Sequence, residues 1–267
     1  MGIFLTYILA KKKFYHLELT PKLISRERFK EIFGFSVWAF VSSISYRLIY
    51  TADTVVIAIL LGPKWVTFYT IGGMLLYKSI SIVNQSIMIF SPNMIKSCAR
   101  EELDSLRIDY RRSSNLAMGV GILLFGGMIF FGKEFISLWM GEKYRISYEI
   151  LLILSLSIYP EIAFKSVNSI FSGFNRMKLL SSLTLAQGVS NLCLSVALVV
   201  FFNFGIDGVA WGTFFPRVVF SVITGIIALK WIDYSFSKFL KYNFYRWVAA
   251  CIYFFIVGWL VSLFFIE

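Results

Sequence analysis

Charged and amide side chains interrupt the apolar segments of this sequence at helical spacing. In the stretch SLSIYPEIAFKSVN at 155–168, Glu161, Lys165 and Asn168 recur every three or four residues and share one helix face. Four other apolar segments carry similar stripes: Ser43, Arg47, Tyr50 and Thr54; Lys78, Ser81 and Gln85; Thr184, Gln187, Asn191 and Ser195; Thr213, Arg217, Ser221 and Thr224. An ionisable group at mid-bilayer costs about 2.5–3.5 kcal/mol on insertion scales, so these stripes predict helix faces turned toward a hydrated cavity.

The predicted lining of this cavity holds more cations than acids. Its ionisable members are Arg47, Lys78, Lys165 and Arg217 against Glu161 and Asp53, and its amides are Gln187 and Asn191. Because the cations outnumber the acids, the preferred guest is predicted to be an anion. We therefore take the four cations and the two amides as the candidate substrate-binding residues.

Each of these residues also has a purely structural interpretation. Glu161 and Lys165 are spaced i, i+4 in the favourable order and can simply neutralise each other. Asp53 lies nearer the end of its segment, where it can cap a helix or pair with Arg47. The amides can join neighbouring helices, which is a common use of amides in membranes.

Composition identifies the elements that must position these residues as membrane-spanning helices. Hydrophobic residues make up 58% of the 267-residue chain and the mean hydropathy is +0.75, whereas soluble domains are roughly 45–50% apolar. The apolar runs are about 20 residues long, enough to cross a hydrocarbon core of about 30 Å. Seven spans are predicted, at 33–61, 65–90, 113–132, 147–171, 178–203, 208–230 and 244–266. Pro160 and Pro216 predict kinks in the fourth and sixth spans.

The same composition argues against several other functions. The net charge of +11 belongs to loops, with no soluble domain to bind nucleic acid. His16 is the single histidine, and the three cysteines lie apart, without metal or disulfide spacing. We therefore predict no metal, no cofactor, no catalytic residues and no enzymatic activity.

Loop charge predicts the orientation of the spans. Basic residues concentrate in alternate loops, at 11–31, 96–112, 176–178 and 230–246. By the positive-inside rule these loops are cytoplasmic. Residues 99–112 mix acids and bases at helical spacing, which fits either an interfacial helix or a solvated loop.

Three segments resemble the polysaccharide-transport branch of the multidrug/oligosaccharidyl-lipid/polysaccharide exporter superfamily, the lipid-linked oligosaccharide (O-antigen) flippases. The first, FGFSVWAFVSSISYRLIYTADTVVIAILLG, is similar to the helix that opens the C-terminal lobe of these carriers and includes Asp53. The second holds a Leu-Trp-x-Gly turn at 138–141, and the third a Gly-x-x-Gly-x-Ala entry at 205–210. Together the three segments cover about residues 20–230 in the family's order and spacing.

This resemblance implies a flippase that moves an undecaprenyl-diphosphate-linked sugar across the prokaryotic cytoplasmic (inner) membrane for polysaccharide biosynthesis. A diphosphate suits the cationic lining, and coupling to an ion gradient would give Asp53 or Glu161 a role. The resemblance further implies an all-α polytopic helical bundle, one six-helix lobe of a flippase-type carrier plus one further span. We expect a helix stub and basic cytoplasmic loop at 1–31, the six-span bundle at 32–230, and a loop with the seventh span at 231–267.

The chain departs from the resembled family in length, since those carriers have 12 to 14 spans. The hypothesis is therefore a partial chain that requires a second lobe or a homodimer. A non-transporting remnant or assembly subunit is one alternative. A multidrug exporter of the same superfamily is another, although it should have an acidic cavity.

Overall fold

The computed structural model describes residues 25–265, excluding the side chains at 28, 31, 32, 35, 39, 244, 246 and 261–265. The predicted stub at 3–10, most of the first basic loop and His16 therefore lie outside the described residues. Ten α-helices follow one another within the described range: α1 Arg26–Tyr50, α2 Ala52–Leu60, α3 Pro63–Ile87, α4 Ser91–Ala99, α5 Leu103–Met140, α6 Ser147–Ala163, α7 Val167–Gly173, α8 Met177–Val200, α9 Gly205–Trp231 and α10 Phe236–Phe265. The chain divides into two compact units, residues 1–40 and 41–267, and the site lies wholly in the second.

The helices reproduce the predicted set of membrane spans. Five continuous segments are long and apolar enough to cross a membrane: Pro63–Ala99, Leu103–Met140, Met177–Val200, Gly205–Trp231 and Phe236–Leu260. The bent pairs Ser36–Leu60 and Ser147–Gly173 bring the number to seven. The described residues contain no strand. The prediction of an all-α polytopic membrane protein is therefore confirmed.

Two spans are broken, and only one break was predicted. The fourth span bends by 42° between α6 and α7, just beyond Pro160, as expected for a residue that lacks a backbone N–H and clashes with the preceding turn. The first span bends by 44° between α1 and α2 at Thr51, without proline or glycine. There Thr54 Oγ1 donates a hydrogen bond of 2.7 Å to Thr51 O. Pro216 lies within the unbroken helix α9.

Of the two predictions for residues 99–112, an interfacial helix and a solvated loop, the structure favours a helix from Leu103 onward. These residues form the first turns of a 38-residue helix, α5, that continues into the third span. At 1.5 Å per residue α5 is about 57 Å long and so exceeds the membrane thickness. Arg107 fastens this extension to the connection between α9 and α10. It donates to Ile232 O over 2.7 Å and pairs with Asp233 over 3.2 Å.

Helix α10 packs against α5 through reciprocal glycine contacts. A Cβ atom at Gly126 would lie 2.6 Å from the ring of Phe254, and one at Gly258 would lie 2.8 Å from the ring of Phe130. Each glycine therefore leaves room for an aromatic ring of the other helix. These contacts fix the seventh span on the third, away from the polar faces of the bundle.

Candidate functional site

A fully buried network surrounds Asp53, whose exposed fraction is 1%. Tyr69 Oη donates a hydrogen bond of 2.6 Å to Asp53 Oδ2, and Thr213 Oγ1 lies 2.8 Å from the same oxygen. Asn191 Nδ2 donates to Oδ1 over 3.2 Å. Four helices, α2, α3, α8 and α9, thus each contribute one side chain. Among the described residues no cation lies within 4 Å of this carboxylate, so only neutral donors satisfy it.

Glycine 212 allows the helices of this network to approach one another closely. A Cβ atom at Gly212 would lie 2.6 Å from Ser195 Cα and 2.7 Å from Ser195 N. These are backbone atoms, which cannot rotate away as a side chain could. The close approach brings Thr213 of α9 beside Asn191 of α8, with Thr213 Oγ1 3.1 Å from Asn191 Oδ1.

A second network surrounds Glu161 and is charged. Lys165 Nζ lies 2.6 Å from Glu161 Oε1, and Arg217 Nε lies 3.5 Å from Oε2. Arg217 also donates from Nη1 to Ser157 Oγ over 3.2 Å. The Arg217 side chain is fully buried, whereas Lys165 and Glu161 are 15% and 17% exposed. One acid therefore faces two cations, and the cluster carries an excess positive charge.

The break between α6 and α7 positions this second network. Glu161 lies in the last turn of α6, and Lys165 lies in the three-residue turn before α7. The turn keeps local backbone hydrogen bonds, from Lys165 N to Ile162 O and from Val167 N to Phe164 O. The predicted bend thus carries the lysine into the wall of a cavity.

Helix α9 joins the two networks. Thr213 and Arg217 are one turn apart, on either side of Pro216, so one helix face carries a partner of each carboxylate. Arg217 also interacts electrostatically with Asp53 beyond hydrogen-bonding distance. Helix α9 therefore supplies one partner to each network.

Three cavities adjoin these networks, and Tyr50 lines all of them. The hydroxyl cavity, of about 660 Å³, includes Thr54, Thr67, Thr70 and Lys78 in its lining. The lysine cavity, of about 500 Å³, includes Asn84, Lys165 and Asn168. A smaller cavity of about 80 Å³ includes Glu161, Lys165 and Gln187. The two larger cavities fall within the range of about 300–1,000 Å³ common for ligand sites.

The structure brings some of the predicted site residues together and separates others. Lys78, Lys165, Gln187 and Glu161 line the cavities. Arg217, Asp53 and Asn191 are buried behind the cavity wall, where they hold other side chains. Arg47 is exposed and lines none of the three cavities.

Sequence reasoning missed Tyr46, Tyr69 and Tyr77, and it placed Tyr50 in a polar stripe without making it a substrate-binding candidate. Tyr69 binds Asp53, and Tyr46, Tyr50 and Tyr77 line the cavities. Their depth was an available signal, because tyrosine in membrane helices is enriched at the two interfaces, whereas Tyr46, Tyr50 and Tyr77 lie near the middle of their spans.

The fold and the site together define a multi-pass α-helical membrane protein with a polar cavity and two buried carboxylate networks. The profile of a polysaccharide biosynthesis protein family matches residues 3–149, more than half of the chain, and the chain belongs to this family. The membership confirms the resemblance to polysaccharide-transport proteins and the assignment to polysaccharide biosynthesis.

A curated relative supports the same assignment. The uncharacterized membrane protein EpsK of Bacillus subtilis (strain 168) is 24% identical over 244 residues, which are 89% of this chain and 47% of EpsK. The chain therefore spans about half the length of the curated relative it matches. No solved structure gives a significant match.

Proposed function

We propose that this chain is one lobe of a flippase that moves a lipid-diphosphate-linked oligosaccharide across the bacterial cytoplasmic membrane. The observation that carries the proposal is the excess positive charge of the Glu161 network in the wall of the lysine cavity. Burial of a charged group in a membrane span costs free energy, so such groups usually mark a functional site. Two cations that share one carboxylate leave one positive charge for a guest, and a diphosphate supplies the matching negative charge.

Glu161 acts in this proposal as a substitute for the substrate phosphate. In the empty site Glu161 forms ion pairs with both cations, which would otherwise be buried without a counter-charge. An entering diphosphate replaces it at Lys165, the more exposed of the two cations. Lys78, in the hydroxyl cavity, offers a second contact to the anion.

Asp53 is the candidate for ion coupling. Its neutral hydrogen-bond donors leave the carboxylate without a counter-charge within 4 Å among the described residues. A proton or a small cation bound there removes one negative charge from the interior. Because Arg217 interacts with both carboxylates, loss of that charge strengthens anion binding at the Glu161 network. By linkage, the anion then strengthens cation binding at Asp53 to the same extent.

The lobe is proposed to work with a second lobe, either another chain or a second copy of this one. Arg47 and Lys78 are exposed although they lie well inside their spans. Such side chains normally face a bundle interior or water rather than lipid. A second lobe over this face would close the cavity, and the six spans between residues 32 and 230 would form one half of the carrier.

Binding of a diphosphate lipid tests the proposal. Farnesyl diphosphate and the cationic drug ethidium are titrated into the purified chain in lipid nanodiscs. We expect farnesyl diphosphate to bind and ethidium not to bind. The double variant Lys78→Ala/Lys165→Ala should weaken farnesyl diphosphate binding at least 10-fold, whereas Lys133→Ala, which removes an exposed cation outside the cavities, should not change it.

The opposite preference would support the multidrug exporter instead. Binding of ethidium without binding of farnesyl diphosphate would overturn the flippase proposal. Transport itself is measured by surface polysaccharide in a flippase-deficient strain that carries the chain. Stable insertion without restored polysaccharide would favour an assembly subunit.

A further inference from the structure

Three tyrosines form a continuous aromatic surface along the cavities. The rings of Tyr46 and Tyr50, one turn apart on α1, stack with centroids 6.1 Å apart and an interplanar angle of 9°. Tyr77 of α3 meets Tyr50 edge to face at 5.1 Å and 85°. All three line the lysine cavity, and Tyr50 and Tyr77 continue into the hydroxyl cavity.

These tyrosines lie deep in the membrane, where their hydroxyl groups need polar neighbours. Tyr46 lies 10 residues after Ser36, where its span begins, and Tyr77 lies 10 residues before Ile87, where α3 ends. At 1.5 Å per residue, each is about 15 Å along the helix axis from that residue, close to mid-bilayer. The interfacial role of membrane tyrosines does not apply at that depth. Phenylalanine would fill the same space without a hydroxyl group, and the chain uses it 28 times.

Hydroxyl and amide groups surround the aromatic surface. Ser81, Asn84 and Asn168 line the lysine cavity beside the three rings. Thr54, Thr67 and Thr70 line the hydroxyl cavity beside Tyr50 and Tyr77. These groups donate and accept hydrogen bonds but carry no charge.

A pyranose ring has the complementary chemistry. Its C–H face is apolar and packs on the face of an aromatic ring, while its equatorial hydroxyls point outward to hydrogen-bonding side chains. A drug-like apolar guest would offer no hydrogen bond to the amides of Asn84 and Asn168, which is costly in a desolvated site, whereas Thr54 and Thr70 already donate to backbone carbonyls. The arrangement therefore fits a sugar better than a purely apolar guest.

We infer that Tyr46, Tyr50 and Tyr77 form a sugar-binding subsite that holds the saccharide while its diphosphate lies at Lys165. This inference rests on the proposed function, since it assigns the sugar of the proposed substrate to particular residues. Tyr50 is the central member because it contacts both other rings and borders both large cavities. The sugar and the anion thus use different side chains and can be tested separately.

Two probes that differ only in the sugar separate the subsite from the anion site. Farnesyl diphosphate and farnesyl-diphospho-N-acetylglucosamine are titrated into the purified chain in lipid nanodiscs. We expect the sugar-bearing probe to bind at least 10-fold more tightly. Tyr50→Ala should remove this advantage, measured as the ratio of the two affinities within the same variant, whereas Tyr50→Trp should retain most of it because it preserves an aromatic face.

Two further variants keep the test independent of folding. Tyr46→Ala removes a 48% exposed ring and should lose part of the sugar advantage without a change in thermal unfolding. Tyr253→Ala removes an exposed tyrosine of α10 that lines none of the three cavities and should change the affinity for neither probe.

Different failures point to different errors. Equal binding of the two probes to the wild-type chain, or an equal loss of affinity for both in Tyr50→Ala, would overturn the sugar subsite. Neither result would overturn the proposed anion site. If neither probe binds the folded wild-type chain, the proposed function fails and the subsite fails with it. If Tyr253→Ala reduces the sugar advantage as much as Tyr50→Ala does, the aromatic surface is not the cause.

Discussion

The two buried carboxylates of this chain are held in opposite ways. Asp53 accepts hydrogen bonds from three neutral side chains and has no cation within 4 Å in the described part of the chain. Glu161 faces Lys165 and Arg217, whose cations outnumber it. The Asp53 network thus lacks a positive charge, and the Glu161 network has one in excess.

This difference assigns a different guest to each network. A carboxylate satisfied only by neutral dipoles retains its attraction for a proton or a small cation. Two cations that share one carboxylate retain their attraction for an anion. Because α9 carries a partner of each, the networks lie close enough to influence one another while remaining chemically distinct.

Loss of the Glu161 charge should have the largest effect. Glu161→Gln leaves two adjacent cations without a counter-charge, and disruption of a buried ion pair costs about 3–5 kcal/mol. We expect a large decrease in the midpoint of thermal unfolding of the purified chain in detergent. Inorganic diphosphate should raise this midpoint more in the variant than in the wild type, because it can replace the missing carboxylate.

A surface acid provides the matched control for that variant. Glu142 pairs with Arg145 over 3.4 Å, and its side chain is 74% exposed. Glu142→Gln should therefore change stability by less than about 1 kcal/mol. An unchanged midpoint in Glu161→Gln would show that water already compensates the two cations. Glu161 would then not be their required counter-charge, and the contrast between the two networks would fail.

Displacement of α9 from α8 should affect mainly the Asp53 network. Gly212→Ala places a methyl group against the Ser195 backbone, and overpacking of this kind costs about 1–3 kcal/mol. The measurement is the midpoint of thermal unfolding, together with the sodium and pH dependence of farnesyl diphosphate binding. We expect a lower midpoint and weaker cation dependence, with the affinity for farnesyl diphosphate retained.

Gly119→Ala is the control for this helix contact. A Cβ atom at Gly119 has no neighbour within 4 Å, so alanine should be neutral or stabilise the helix by up to about 1 kcal/mol. If Gly212→Ala is equally harmless, α8 and α9 are not held at the distance that the Asp53 network requires.

Removal of the Asp53 charge should cost much less stability than removal of the Glu161 charge. Asp53→Asn weakens the hydrogen bonds from Tyr69 and Thr213 but also removes a buried negative charge that lacks a close counter-ion. We expect the midpoint of thermal unfolding to change by the equivalent of about 1 kcal/mol or less, in the range typical of neutral polar exchanges. Farnesyl diphosphate should bind more tightly and lose its dependence on sodium and pH.

The outcome for Asp53→Asn also separates the two networks functionally. A decrease in stability as large as that of Glu161→Gln would mean that Asp53 serves as a structural counter-charge for Arg217. Retained sodium and pH dependence would place the coupling ion elsewhere.

Much of the fold could be predicted from the sequence, because hydropathy and charge act locally. Seven spans followed from the apolar runs, and the bend after Pro160 followed from a residue that cannot complete a helical turn. The bend at Thr51 could not be predicted, since no proline or glycine marks it in the sequence. The extension of α5 was missed because its charged residues resemble a loop and its contact with Ile232 O is remote in sequence.

The site was harder to predict than the fold. Helical spacing placed Glu161 beside Lys165, because an i, i+4 pair needs only one helix. The same spacing grouped Arg47 with Tyr50, yet only Tyr50 lines a cavity. Which residues meet across helices, such as Asp53 with Asn191, depends on helix rotation and on close contacts such as that of Gly212.

The smallest predicted effects concern the hydroxyl groups that bind Arg217 and Asp53. Ser157 Oγ accepts a hydrogen bond from Arg217 over 3.2 Å, and Thr213 Oγ1 lies 2.8 Å from Asp53. Hydrogen bonds to charged groups contribute about 1.5–3 kcal/mol, but Arg217 keeps Glu161 as a partner when Ser157 is removed. We therefore expect Ser157→Ala to cost about 1 kcal/mol or less in thermal stability, near the lower limit for a hydrogen bond.

Thr213→Val should cost more than Ser157→Ala, because no cation of the described residues lies within 4 Å of Asp53 to compensate for a lost donor. Valine preserves the branched shape of threonine, so the difference reports the hydroxyl group rather than packing. The two midpoints of thermal unfolding, compared in the same detergent, test this order. The reverse order would mean that Glu161 does not compensate Arg217 for the loss of Ser157, which would contradict the close pairing of Arg217 with Glu161 on which the comparison rests.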